Sequence, residues 1–463
     1  MSDHARRRSR SHRPHPSTLD RICPDAAGID CSAGEHMVAV PPDRDAQPVR
    51  GFGPFTADLV QLVTWLIACR VTTVAMEATG VYWIPLFELL EERGLTVRLV
   101  NARHVKNVPG RKSDVLDAEW LRDLLMVGLL RGSFRPPDAI VALRGYVRHR
   151  DTLIQQASHC IQRMQKALVQ MNVLLPQVVS DITGVTGLRI LRDIVAGQRD
   201  PQRLATHRHA SCHATEADIV AALTGHYRPE HLLALQQNLQ LFDLLHEQMA
   251  ACDDAIEQHL AQITVTPTSS PLPPARRTHK PHAHEPGFDV RRALHRLTGI
   301  DLAHVDGFGP YSSLRLVAEI GTDITRWPTS QHFTSWLTLA PQNKVSGGRL
   351  LSSRTAPSAN RAAGIFRLAA MAIGRTSTAL GAFYRRLAAR AGKAVAITAT
   401  ARKLAVLVYR ILKGDLTYHD PGADAYEAQQ RAHSIRRLQR HAAKLGLTLV
   451  NPATGELLSE AVS

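Results

Sequence analysis

The sequence lacks the features of secreted, membrane-spanning and zinc-binding proteins. No run of apolar residues reaches the ~18 that a membrane span needs, and the basic first 16 residues lack the apolar core of a signal peptide. The six cysteines are scattered without a CxxC pair, and His207, His209 and His213 lie near Cys212 without ordered ligand spacing. The cysteines therefore indicate reduced thiols, and we expect a cytoplasmic protein with no membrane association.

The sequence is also poor in acidic residues relative to basic ones. Lys and Arg number 56 against 41 Asp and Glu, which gives a formal net charge of +15 and an isoelectric point near 10.0. This balance favours a polyanionic partner such as nucleic acid. Apolar residues still make up 44% of the 463 residues, so the chain can form about two to four domains with sizeable cores.

The N-terminal part alternates between strand-like and helix-like stretches. Residues 26–40 predict a β-hairpin, and residues 72–77 and 96–102 predict two further strands. Residues 56–70 and 82–93 predict the helices between them. This alternation indicates an α/β domain with a largely central sheet.

Four acidic residues stand at the ends of these elements. Asp30 lies on the first strand of the hairpin, Glu77 ends the next strand, and Asp114 and Asp117 begin an amphipathic helix. Three-residue spacing puts the last two on one helical face, where they repel each other unless a cation or a basic partner neutralises them. Such acids suit a two-metal phosphodiester site, whose ions lie roughly 3.5 to 4 Å apart. The Asp pair could equally favour the helix dipole, with Lys112 adjacent.

Two long amphipathic stretches follow. Apolar residues recur at spacings of three and four along residues 143–175 and 231–263, which predicts two long helices paired as an antiparallel coiled coil. Residues 181–230 would form a small helical tip. Residues 264–287 are rich in Pro, Ser, Thr and basic residues and predict a flexible linker.

The second half contains two glycine motifs and many basic residues. Gly307 and Gly309 predict a tight turn between short helices, which could bind a phosphate or form a helix-turn-helix packing corner. Ser346 precedes Gly347 and Gly348, where another molecule can approach the backbone, although SGG is also an ordinary turn sequence. The 65 residues from Arg349 carry 13 Arg and Lys, which indicates a phosphate-contacting surface with some solvated face.

Five motifs carry a family resemblance: GID at 28–30, MEATGVYW at 76–83, VNARHVKNVPGRKSDVLDAEWL at 100–121, GLLRGSFRPP at 128–137 and APQNKVSGG at 340–348. With them the chain resembles, over nearly its whole length, the DEDD-type insertion-sequence transposases of the IS one-ten family. These proteins are also called bridge-RNA-guided serine recombinases.

The resemblance implies an α/β RuvC-like domain of the ribonuclease H type and a mostly α-helical C-terminal transposase domain, joined by the coiled-coil helices. We therefore expect a disordered basic arm at 1–22, the RuvC-like domain at 23–137, the coiled coil at 138–263, the linker at 264–287, the transposase domain at 288–420 and a helical tail at 421–463.

The resemblance also implies the chemistry. Asp30, Glu77, Asp114 and Asp117 would bind Mg²⁺ (or Mn²⁺), and Ser346 would attack a DNA phosphate to form a covalent phosphoserine link. The expected partners are DNA, a guide (bridge) RNA and further copies of the chain in a dimer or tetramer, associated with the nucleoid. The expected nucleic-acid contacts are Lys106, Arg111, Lys112, Arg349, Arg354, Arg361 and Arg367.

Two other functions remain open from the residues. A RuvC-like junction nuclease would use the four acids to activate water and would leave Ser346 idle. A catalytically inactive scaffold would use only the basic surface and the coiled coil to bind nucleic acid.

Overall fold

The computed structural model describes two compact units, residues 1–135 and residues 136–463. The described residues are 20–78, 80–100, 114–130, 132–264, 271–274 and 284–450, with only the backbone of 114–116. Most of the predicted basic arm, most of the predicted linker and the end of the predicted helical tail lie outside them.

The first unit is built on a five-stranded sheet. Its strands are β1 (Ala26–Cys31), β2 (His36–Ala39), β3 (Val49–Phe52), β4 (Thr73–Glu77) and β5 (Thr96–Val100). The order is β3-β2-β1-β4-β5, in which β1 pairs antiparallel with β2 and parallel with β4. The predicted hairpin and the two later strands are confirmed, whereas β3 was not predicted.

Helices cover both faces of this sheet. They are α1 (Thr56–Ala68), α2 (Trp83–Glu92) and α3 (Asp114–Met126). Apolar side chains of α1 and α2 share a core with Ala27 and Ile29 of β1, whereas those of α3 pack with Ala26 and Ala75. Because successive strand residues point to opposite faces, α1 and α2 lie on one face and α3 is the described helix on the other. This confirms the mixed α/β architecture predicted for the N-terminal part.

Helix α3 touches β1 at Gly28. A Cβ at this position would lie 2.1 Å from the carbonyl oxygen of Ala118 and 2.4 Å from the backbone nitrogen of Arg122, so only glycine fits without moving the helix. At the other end of the helix, the Met126 carbonyl accepts a 2.9 Å hydrogen bond from the N–H of Cys23. Helix α3 therefore runs antiparallel to β1, and its first turn lies toward the carboxyl end of that strand.

Two long antiparallel helices begin the second unit, α4 (Asp138–Gln170) and, after the tip, α9 (Pro229–Gln262). His259 Nε2 lies 2.6 Å from the carbonyl oxygen of Ala139 at one end, and the N–H of His226 donates to Met171 at the other. The predicted long helix pair is confirmed, while its supercoiling stays a prediction. The tip contains α5 (Leu175–Val178), α6 (Val185–Val195), α7 (Pro201–Ala205) and α8 (Glu216–Leu223).

A buried ion pair joins these long helices. Arg150 and Asp253 form a two-pronged contact, with Nη2 3.1 Å from Oδ2, and their side chains are only 3% and 10% exposed. Arg150 also donates to the carbonyl of His284, and Asp253 accepts from the N–H of Gly287. The same pair therefore holds the last residues of the predicted linker against the long helices.

In the remaining described part of the second unit, the regular elements are helices and one hairpin, which is described with the site. Its helices are α10 (Val290–Thr298), α11 (Pro310–Ile320), α12 (Ser330–Trp336), α13 (Arg361–Ile373), α14 (Ala379–Ala391), α15 (Lys393–Leu412) and α16 (Ala423–Lys444). The fully buried Phe333 contacts the rings of Trp327, Phe366 and Tyr409. Within the described ranges, no helix is both long and apolar enough to cross a membrane.

The turn at Gly307 and Gly309 lies at the start of α11. The N–H of Gly309 donates to the hydroxyl of Ser312 over 2.7 Å, and the Phe308 ring packs edge-on against Phe366 at a centroid distance of 5.7 Å. These contacts are those of a packing corner, one of the two interpretations that the sequence left open.

The close approach at Gly28 predicts a strong effect of a single methyl group. We expect Gly28→Ala to lower the free energy of unfolding by about 1–3 kcal/mol or more, because the added carbon overlaps the backbone of α3. Gly34→Ala is the control, since no atom lies within 4 Å of a Cβ there. Urea unfolding and hydrogen exchange of β1 measure both variants, and equal stability of the two would contradict the packing described.

The buried ion pair predicts an asymmetry between two aspartates of α9. Asp253→Ala should destabilise the protein by about 3–5 kcal/mol, because it leaves the Arg150 charge buried without its partner. Asp243→Ala removes a 3.1 Å contact with Arg192 between side chains that are 43% and 57% exposed, and should cost at most about 1 kcal/mol. Thermal unfolding followed by circular dichroism distinguishes them, and similar losses for both would show that Arg150 tolerates isolation.

Candidate functional site

Asp30 and Glu77 stand side by side on the sheet. The parallel register pairs Ile29 with Met76, and its next step brings Asp30 beside Glu77 at the carboxyl ends of β1 and β4. Asp30 is two residues beyond Gly28, so the alternation of strand side chains directs it to the face that α3 covers. Glu77 is 8% exposed and Asp30 is half-buried.

The negative charges of Asp30 and Glu77 also affect the neighbouring thiol of Cys31. Burial raises the pKa of Cys31 to about 12, and the charges of Asp30 and Glu77 add to the rise. Cys31 itself packs into the core on the opposite face of the sheet, so it stays protonated at neutral pH and is not part of the acidic group.

Helix α3 brings the third acid to this place. Asp117 is half-buried and directly precedes Ala118, whose carbonyl lies against Gly28. The antiparallel course of α3 directs its first turn, which begins at Asp114, toward the Asp30 end of β1. The Asp114 side chain lies outside the described residues. Three acids predicted from separate stretches of sequence therefore share one end of one sheet face.

The carboxylates have the donor chemistry of a site for a hard cation. Oxygen donors are what Mg²⁺ binds. Among the side chains that the structure describes, no three His, Cys, Asp or Glu are grouped closely enough to hold a metal ion. A ligand set would therefore have to include the Asp114 carboxylate or oxygens of a bound phosphate. In chemical type, the carboxylates of Asp30, Glu77 and Asp117 therefore suit a hard divalent ion such as Mg²⁺.

Arg122 is a residue that positions α3 and that sequence reasoning missed. Its side chain is nearly buried, donates to the carbonyl of Val40 over 2.9 Å and pairs with Asp123 at 2.8 Å. One turn after Ala118, it ties α3 to the end of β2 and so helps to position the helix. A basic residue within the apolar stretch of residues 120–125 was the signal that could have indicated it.

Ser346 lies on a small hairpin in the second unit. Strands β6 (Lys344–Ser346) and β7 (Arg349–Ser352) pair antiparallel, with Ser346 opposite Arg349. Gly347 and Gly348 have φ values of +55° and +76°, which gives the two-residue turn that favours tight hairpins. Ser346 is therefore the last strand residue before the turn, and it is exposed to solvent. It is the sequence motif SGG in the form of a turn, with the hydroxyl accessible to another molecule.

The described part of the predicted basic surface surrounds this hairpin and the next helix. Arg349 and Arg354 are exposed on and just after β7, Arg361 is exposed at the start of α13, and Arg367 is half-buried on the same helix. Lys106, Arg111 and Lys112 lie outside the described residues. All four arginines follow Ser346 within about two dozen residues of sequence, so positive charge is concentrated in the segment that contains the serine.

Comparison with known families places both sets of residues in recognised regions. A transposase model named for DEDD and IS110 matches residues 27–173, and the model of the IS116/IS110/IS902 transposase family matches residues 301–385. No curated protein matches the chain. The first match contains the four acids and the second contains the Ser346 hairpin, and the chain belongs to the IS110 (IS one-ten) family of transposases.

Proposed function

We propose that this transposase cuts and rejoins DNA through a covalent phosphoserine link at Ser346, assisted by Mg²⁺ (or Mn²⁺) bound to Asp30, Glu77, Asp114 and Asp117. The observation that carries the proposal is the placement of three acids: the strand register brings Asp30 beside Glu77, and the turn of α3 that contains Asp117 lies on the same sheet face toward the same end.

The acids act as a preorganised anionic cradle. Strand pairing holds Asp30 and Glu77 in register, and the Gly28 contact sets the depth at which α3 presents Asp117. A divalent ion bound there supplies Lewis-acid stabilisation of charge on a phosphate oxygen. Arg122 lies about one turn farther along α3 than Asp117, where its hydrogen bond to the Val40 carbonyl holds the helix in place.

The serine supplies the covalent step. Its Oγ forms a bond to a DNA phosphorus while the bond from that phosphorus to a sugar oxygen breaks. The hydroxyl proton passes to solvent or a nearby base, and the departing sugar oxygen takes up a proton. One phosphate ester replaces another, so attack by a DNA hydroxyl reverses the step and rejoins a strand. Exposed Arg349 and Arg354 are suited to hold the flanking phosphates.

The finer features of the family belong to the same proposal. The mixed five-stranded sheet with helices on both faces supports a RuvC-like domain, and the long antiparallel helices support a coiled coil. Guidance by a bridge RNA and assembly as a dimer or tetramer rest on the resemblance and on the net charge of +15. Co-purified RNA and the mass of the assembly in light scattering are the measurements that test them.

A RuvC-like junction nuclease is the second candidate function. The same converging acids favour it, because they could activate water without any serine. The two functions differ in whether a protein-DNA adduct forms, so the serine variant decides between them.

We expect Ser346→Ala to lose the covalent protein-DNA adduct while retaining nucleic-acid binding, since phosphate contacts come from Arg and Lys. Ser352→Ala is the matched control on the opposite strand, where the hydroxyl accepts a long 3.4 Å hydrogen bond from the N–H of Arg354. The adduct is detected on denaturing gels of reactions to which no crosslinking reagent has been added. An adduct that persists in Ser346→Ala and disappears in Ser352→Ala would show that the nucleophile is Ser352 and that the assignment to Ser346 is wrong.

We expect Asp117→Asn to lower the rate of strand cleavage by at least roughly 10–100-fold at fixed Mg²⁺, because an amide is a weaker ligand than a carboxylate. Glu119→Gln, two residues along α3 and on another side of the helix, is the control and should cleave as wild type. The rate is measured over a Mg²⁺ titration. Unchanged cleavage by Asp117→Asn at all Mg²⁺ concentrations would remove Asp117 from the metal site.

A further inference from the structure

A cleft opens where the Ser346 hairpin joins the helical part of the second unit. Its volume is about 810 Å³, within the range of roughly 300–1,000 Å³ that binds small molecules. The N–H of Gln342 donates to the carbonyl of Arg354 over 3.0 Å, which closes the base of the hairpin beside the cleft. Leu339, Phe383 and Val395 supply apolar wall.

The charges around the cleft are of one sign. Arg354, Arg402 and Lys403 line it, and no Asp or Glu is among its described lining residues. The Lys403 ammonium lies 4.3 Å from the centre of the Phe383 ring. An apolar wall with an aromatic ring and cations at its edge is complementary to a ligand with a flat apolar body and an anionic group.

We propose that this cleft binds a single unpaired nucleotide of the DNA strand that Ser346 attacks, with the base against Phe383 and the phosphate near the three cations. This inference rests on the proposed function, because it takes the substrate to be DNA held at Ser346. Ser346 lies four positions after Gln342, a distance of at most about 13 Å for an extended chain. The bound nucleotide therefore lies within a few nucleotides of the attacked phosphate.

A nucleotide satisfies both parts of the cleft at once. Every base has a π face that can stack on an aromatic ring, and the phosphate of the same nucleotide carries a negative charge that can pair with the cations. An apolar side chain from a second copy of the chain would use the wall but would make no contact of opposite charge with Arg354, Arg402 or Lys403. Duplex DNA keeps its bases stacked inside, so the strand has to release one base before the cleft can bind it.

The test compares two probes on the full-length protein. One is a fluorescein-labelled thymidine oligonucleotide of about eight nucleotides, and the other has the same phosphates with abasic tetrahydrofuran units in place of the nucleosides. Anisotropy titrations should show the thymidine probe binding at least about fivefold tighter, the lower end of what one stacked base contributes. Equal affinity for the two probes would overturn the proposal.

Variants assign the preference to the cleft. Ala399 lines its half-buried floor, so Ala399→Leu fills space without adding a ring and should abolish the preference for bases. Phe383→Leu removes the ring that lines the cleft and should do the same if Ala399→Leu folds poorly. Ala389→Leu, an exposed position of α14 outside the cleft, is the matched control. Both helices accept Leu as readily as Ala, and a preference that survives in both cleft variants would place the base elsewhere.

Two outcomes separate this inference from the proposed function. If the thymidine preference depends on the cleft but Ser346 forms no adduct, the cleft stands and the serine chemistry is wrong. If the adduct forms but the two probes bind alike, the chemistry stands and the cleft proposal fails. A change in the mass of the assembly on Ala399→Leu, with the probe preference unaltered, would assign the cleft to a second copy of the chain and would also overturn the proposal.

Discussion

The acidic group depends on the absence of a side chain at Gly28. Apolar packing of Leu121 and Leu125 selects the face of the sheet on which α3 lies, but it does not set how closely the helix approaches. A backbone oxygen 2.1 Å from the position of a missing Cβ sets that depth. Asp117 is then brought toward a pair of strand carboxylates far away in sequence. A helix held farther out would keep the fold and separate the acids.

The second unit has a comparable constraint of opposite chemical character. Arg150 and Asp253 place a full positive and a full negative charge between two long helices, where neither is tolerated alone. Their remaining hydrogen-bonding groups reach His284 and Gly287, so the pair also decides where the chain returns after the long helices. The apolar stripes supply most of the packing, and the ion pair forms only where Arg150 and Asp253 stand opposite each other, which is consistent with a single register of the two helices.

Sequence patterns predicted the parts of this protein whose physical cause is local. The hairpin at β1, the strands that end near Glu77 and Val100 and the long helices all follow from apolar spacing and bounding turns. Strand β3 did not, because its four residues VRGF include Arg and Gly and show no alternation.

The site features that the sequence patterns did not predict depend on residues that are far apart in sequence. GID was noted as a motif, yet the reason for its glycine is a helix about 90 residues later. The cleft is assembled from residues between Leu339 and Val406, and no spacing rule brings those together. Arg122 escaped for the same reason, since its partner is the carbonyl of Val40. The roles predicted for the acids and for Ser346 came from resemblance to a family, because composition and periodicity alone do not indicate that chemistry.

The isolation of the Ser346 hairpin has a consequence for timing. Among the residues that the structure describes, no third strand pairs with β6 or β7, and a two-stranded ladder is only marginally stable on its own. Val345, Leu350 and Leu351 each leave more than half of their surface exposed to water. If Ser346 is the nucleophile, as proposed above, contact between the substrate and those side chains would be needed to hold its hydroxyl in line. Part of the binding energy would then be used to order the reacting group, and a brief encounter with the wrong DNA would end before the serine is aligned. Fidelity would in this way come from the duration of contact as much as from its strength.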